Sequence, residues 1–141
     1  MYVLTIWVLV MGTLVTAAGP HGGDVKARRL GWPLGDVARI HGISVDVLIV
    51  LTLVLVVALA RIPAPRRVLN LASLTVVVMT AQGVLGYVQY FNRIPALLVG
   101  IHVFGAVCVF TCVQQLVLEL WVSDDREPEE LRAPASHALA G

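Results

Sequence analysis

IHGISVDVLIVLTLVLVVALA, residues 40–60, decides the fold. It carries one charge, Asp46, over about the 20 residues that a helix needs to cross a bilayer core. Working outward, residues 68–92 and 94–118 carry no charge, and neither do residues 1–20. Backbone amides find no water in lipid, so such runs form helices, whose hydrogen bonds close within the segment. A transmembrane barrel needs alternating polar and apolar positions, and these runs do not alternate.

The whole composition agrees. Of 141 residues, 58% are hydrophobic and 13% charged, about half the charged share of an ordinary soluble domain. The mean hydropathy is +0.87. With a net charge of +1 and no basic stripe, the chain is not expected to bind nucleic acid. The first apolar run reads as a span rather than a cleaved leader, because it is long and lacks a basic n-region. Cys108 and Cys112 both fall inside the fourth run, one helical turn apart. A helix holds such side chains in poor geometry for a disulfide, so they read as small packing residues.

Four helices are expected, at about residues 3–18, 38–60, 68–90 and 96–122, joined by a Gly-rich charged loop, a Pro-stiffened link and a tight turn. Short connections make sequential neighbours antiparallel. The expected fold is therefore an all-α membrane protein, an up-down four-helix transmembrane bundle over residues 1–122. Residues 123–141, acidic with Pro and Ala, are expected to form a disordered cytoplasmic tail. Thr5, Gly12 and Thr16 share one stripe of the first helix, and Thr75, Gln82, Gly86 and Gln89 one stripe of the third. Small and polar residues in membranes face other helices, so both stripes read as packing surfaces. Arginine counting leaves orientation open. Arg61, Arg66, Arg67, Arg126 and Arg132 fall on one side, and Lys26, Arg28, Arg29, Arg39 and Arg93 on the other.

Ionisable groups inside a membrane are costly and mark function. Here they are His41, Asp46 and His102. His41 lies near the start of the second helix and His102 near the start of the fourth. These helices run in the same direction, so the imidazoles sit at one membrane face, within roughly one turn of the same depth. Zinc prefers four ligands. Cys108 and Cys112 are rotated by roughly 240° and 280° from His102, and Asp46 by roughly 140° from His41. Two histidines without further ligands fit a haem, whose porphyrin supplies the other four positions on iron. Gly42, Gly100 and Gly105 are expected to remove bulk where a flat macrocycle would lie. Arg39, Arg93 and the loop residues Lys26, Arg28 and Arg29 lie at the same face and could pair with propionates. Asp46 is expected to face the bundle or a polar partner, with a proton relay or small-transporter role as the lesser reading. Glu119 reads as a snorkelling residue at a helix end, and His21 and His137 as solvated.

The residues also resemble a family. GTLVTAAGPHGGD (12–24), ARIHG (38–42), QGVLGYVQYFNRIP (82–95) and LLVGIHVFGA (97–106) occur in the order found in haem A synthases. The resemblance extends to about Val122 and covers the carboxy-terminal four-helix half of that eight-helix family. It implies that His41 and His102 are axial ligands to the iron of a haem b cofactor. It also implies an extracytoplasmic histidine-bearing face and cytoplasmic termini. The family reaction oxidises a methyl group of haem O to the formyl group of haem A for terminal oxidases. The amino-terminal half, with its own histidine pair and a glutamate near the substrate haem, has no counterpart here, and the 19–37 loop lacks the cysteine pair of some relatives. The expected function is therefore the cofactor-haem-binding half of a haem A synthase, with a separate amino-terminal half or a homo-oligomer as partner. The alternative is a non-enzymatic bis-histidine membrane cytochrome or haem-binding oxidase assembly factor.

Overall fold

The computed structural model describes residues 1–20 and 30–132, with side chains described through residue 122. Four helices form: α1 (Tyr2–Ala18), α2 (Leu34–Ala60), α3 (Arg66–Phe91) and α4 (Ala96–Arg132). Pro33, Pro65 and Pro95 each stand immediately before the first residue of α2, α3 and α4. Proline has no N–H to leave unpaired, and its ring fixes φ near the helical value, so it suits a helix start. The turn from α3 to α4 is tighter. Arg93 and Ile94 adopt φ of 63° and 57°, a left-handed conformation costing roughly 1–2 kcal/mol per residue for side chains with a Cβ. Two bonds hold it: the Ile94 amide donates to the Gln89 carbonyl at 2.8 Å, and Asn92 Nδ2 donates to the Val88 carbonyl at 2.7 Å.

α2, α3 and the 96–122 portion of α4 are long and apolar enough to cross a membrane. α1 is apolar but has 17 residues. At about 1.5 Å per residue it spans roughly 25 Å, a little less than a bilayer core of about 30 Å. The chain is thus a membrane-embedded all-α bundle of four helices, as expected, with three of them long and apolar enough to span and α1 apolar but shorter. α4 runs through Arg132, past the boundary expected at residue 122. Residues 133–141 lie outside the described residues, as do His21, Lys26, Arg28 and Arg29 of the loop.

The helices pack as a ring, α1 on α2, α2 on α3, α3 on α4 and α4 back on α1. α2 and α4 are therefore diagonal partners, and their backbones do not approach closely. The tight core lies away from the histidines. One buried cluster joins Leu59, Val68, Ala72 and Leu116, and another joins Leu48, Met79 and Val113. Thr5, Thr52 and Thr75 are also fully buried. Each hydroxyl donates to the carbonyl four residues earlier in its own chain, Met1, Leu48 and Leu71, so no polar hydrogen is stranded. Toward the histidine end only Met11 and Val37 remain as buried hydrophobic side chains among the described residues.

Candidate functional site

The ring of helices brings His41 of α2 and His102 of α4 together across the bundle axis. Their ring centroids are 6.5 Å apart and their planes meet at 84°. Two imidazoles on co-directional helices thus meet at one depth, as their spacing predicts.

Each imidazole rests against a glycine of the neighbouring helix. A β-carbon built on Gly12 of α1 would stand 3.3 Å from His41 Cε1, and one on Gly86 of α3 would stand 3.3 Å from His102 Cε1. Ordinary carbon contacts are about 3.5–4.0 Å, so any larger residue at either position would press on the ring. The two helical hairpins thus repeat one arrangement, a glycine on the first helix facing a histidine on the second. The His41 imidazole also has a hydrogen bond to the backbone of Val8.

This corrects one expectation. Gly42, Gly100 and Gly105 do not open space at the histidines. A β-carbon on Gly42 would meet the Tyr87 hydroxyl at 3.7 Å, and one on Gly100 would meet nothing within 4 Å. Gly105 is filled by the Gln82 side chain, which would collide with any β-carbon there. The glycines that matter are Gly12 and Gly86, which sequence reading had placed on inward stripes but assigned to packing. Their signal was present, since each lies on the same stripe as buried Thr5 or Thr75.

Among the described residues, four side-chain polar atoms are buried without a hydrogen-bond partner: His41 Nδ1, His102 Nδ1, Gln82 Oε1 and Gln89 Oε1. All four residues belong to the histidine half of the bundle. Burying an unpaired polar atom costs roughly 1–3 kcal/mol, so this end of the molecule is incomplete as a dry core. No group of three or more His, Cys, Asp or Glu side chains gathers to hold a metal among the described residues. A bare ion with a four-residue shell is therefore not supported there. Cys108 and Cys112 are free, half-buried and separate from the pair.

These features fit a haem. Two metal–nitrogen bonds of about 2.0–2.1 Å, plus the distance from each nitrogen to its ring centre, separate axial imidazole centroids by roughly 6–6.5 Å. Arg39 and Arg93, the described arginines expected at this face, are both exposed, on α2 and on the α3–α4 turn.

Asp46 is not directed into the bundle. It is exposed on α2, and its Oδ2 accepts a hydrogen bond from the Tyr87 hydroxyl of α3 at 3.2 Å. At the other end, a groove of about 540 Å³ between α3 and α4 is lined by Arg67, Asn70, Leu71, Leu74, Gln115 and Glu119. The Arg67–Glu119 ion pair, at 2.6 Å, crosses it. Comparison of the chain with protein-family models, curated proteins and solved structures gives no match.

Proposed function

We propose that the chain binds one haem b between His41 and His102 and serves as the cofactor-haem half of a haem A synthase. The observation that carries the haem reading is the 6.5 Å approach of two imidazoles from diagonal helices, each with its Nδ1 buried and unpartnered. The synthase reading rests on the ordered motifs around the two histidines and on Gln82–Pro95.

In this reading His41 and His102 would ligate the haem iron, and Gly12 and Gly86 leave room for the two imidazoles. Arg39 and Arg93 pair with propionates at the extracytoplasmic face, with both termini cytoplasmic. A bound haem b supplies one-electron chemistry. The protein keeps water from that centre with the apolar walls of the bundle and fixes ligand direction through packing. Haem O is the substrate of the complete assembly. A separate amino-terminal half would bring the residues that oxidise its methyl group.

The second reading is a bis-histidine membrane cytochrome or an oxidase assembly factor without turnover. It is favoured by the described residues bringing together the histidine pair and no further metal-ligating cluster.

The test is a pyridine haemochrome assay on purified protein, with protein concentration measured alongside. One b-type haem per chain is expected, and His41→Ala or His102→Ala should strip it or convert it to a high-spin form. A colourless wild-type preparation from haem-replete cells would overturn the proposal. Haem A formation when the chain is co-expressed with an amino-terminal half separates the synthase from the cytochrome.

A further inference from the structure

The groove between α3 and α4 grades from charge to hydrocarbon along its length. Arg67 is the second residue of α3, and Glu119 of α4 pairs with it there. Trp121, exposed and two residues past Glu119, marks this level as the head-group region, where tryptophans collect. Asn70 is three residues deeper than Arg67, and Gln115 four residues deeper than Glu119. Both carboxamides therefore lie about one helical turn, roughly 5 Å, below the charges. Leu71 and Leu74 carry the wall on toward the hydrocarbon, Leu74 about two turns below Arg67. Asn70 and Gln115 are exposed, and neither makes a hydrogen bond among the described residues. Each carries two N–H donors, for which acyl chains offer no acceptor. A guanidinium has five N–H donors, and Arg67 is 78% exposed, so its bond to Glu119 leaves donors to spare. Arg66 beside it is exposed as well. Two guanidiniums against one carboxylate leave one positive charge at the mouth of the groove. The acidic run of α4 begins only at Asp124, five residues and roughly 7–8 Å of helix beyond Glu119.

We propose that this groove seats one glycerophospholipid. The phosphodiester accepts from the Arg67 guanidinium, whose fork matches phosphate oxygens two at a time. Its single negative charge balances the positive charge that Arg66 and Arg67 leave over Glu119. The glycerol ester carbonyls, one turn deeper, accept from Asn70 and Gln115. One acyl chain then runs over Leu71 and Leu74, and the tails continue into the surrounding bilayer. The groups follow one another along the groove in the order in which they follow one another along the lipid: anion, ester, hydrocarbon. The volume of about 540 Å³ falls within the roughly 300–1,000 Å³ of small-molecule sites. A lipid that merely coats the bundle needs none of these donors, and free phosphate meets only the outermost of them. The inference stands apart from the haem reading, because the groove lies at the opposite end of the bundle from the histidines.

The experiment is native mass spectrometry of the full chain in detergent, titrated with dioleoylphosphatidylglycerol. One lipid per chain should bind ahead of weaker, unsaturable adducts. Arg67→Ala should weaken that first lipid about tenfold or more, the loss of a hydrogen-bonding partner to a charged group. Asn70→Leu with Gln115→Leu should weaken it about fivefold or more, through two neutral hydrogen bonds. Dioleoylglycerol has the esters and the chains but no phosphate, and it should bind wild type at least about tenfold more weakly than the phospholipid. Glycerol 3-phosphate has no chains and should not displace the bound lipid. Thr111→Val, at an exposed position of α4 outside the groove, should change nothing. Far-ultraviolet circular dichroism checks the fold of each variant. Arg67 is exposed, so Arg67→Ala keeps the fold and carries the test alone should the double variant not fold. No discrete first lipid, an Arg67→Ala chain or a folded double variant that binds as tightly as wild type, dioleoylglycerol bound as tightly as the phospholipid, or displacement by glycerol 3-phosphate each overturns the proposal.

Discussion

Substitution of Gly86 tests the histidine cradle without touching a ligand. In Gly86→Ala the new β-carbon stands 3.3 Å from His102 Cε1. That is a few tenths of an ångström inside an ordinary contact of about 3.5–4.0 Å, which a small ring displacement relieves. Alanine also favours a helix over glycine by up to about 1 kcal/mol, so the fold should not suffer. Valine adds γ-carbons roughly 1.5 Å beyond the β-carbon at two staggered positions. One directed at the ring would leave it under about 2 Å away, forcing the imidazole to retreat by more than about 1 Å. Metal–nitrogen bonds tolerate only about ±0.2 Å, so His102 should lose the iron. Gly86→Ala should therefore retain one low-spin haem. Gly86→Val should bind haem at least about 100-fold more weakly, beyond the 10–100-fold typical of outer-shell changes. The assay is haem titration into purified apo-protein in detergent, followed by the Soret and α bands, with far-ultraviolet circular dichroism confirming helix content. A Gly86→Val protein with wild-type affinity and an unchanged low-spin spectrum would refute the reasoning.

Gly12→Val should act on His41 in the same way, and Gly12→Val with Gly86→Val should abolish binding; retention of haem by the double variant would show that the rings are held by something other than these glycines. Cys108→Ser and Cys112→Ser should leave the optical spectrum unchanged, because neither thiol belongs to the histidine pair; loss of pigment in these variants would move the ligand assignment to the thiols. Leu116→Ala, in the fully buried cluster with Val68 and Ala72, should destabilise the bundle by about 2 kcal/mol in detergent unfolding. The low end of the usual range applies because an apolar surround removes most of the transfer penalty and leaves the cavity. Arg67→Ala should cost less than about 1 kcal/mol in the same assay, since its bond to Glu119 leaves Arg67 78% exposed.

The spans and the histidine pair were legible for one reason: both follow from one-dimensional spacing. Charge-free runs mark helices, and two histidines at similar offsets from helix starts fall at one depth when the connections are short. What spacing cannot give is rotation about each helix axis relative to its neighbours. Gly42, Gly100 and Gly105 were close to the histidines in number, but Gly12 and Gly86, on the other two helices, are close in space. Asp46 shows the same limit. Its helix, depth and cost were readable, yet its outward direction depends on how α2 is rotated against α3. Helix ends were displaced where apolar content changes before hydrogen bonding does, as at Leu34, four residues ahead of the expected start of α2. The bounds of α1 were legible as well, expected at about residues 3–18 and found at Tyr2–Ala18.

The uneven distribution of buried residues has a dynamic consequence. Amides of α2 and α3 near Leu59, Val68 and Ala72 can exchange with solvent deuterium only through large openings of the bundle, whereas those near His41 and Gly86 lack comparable restraint. Exchange is accordingly expected to be slow around Leu59 and Val68 and faster around His41 and Gly86. A ligand held by the histidine pair would slow exchange at that end and reduce the difference.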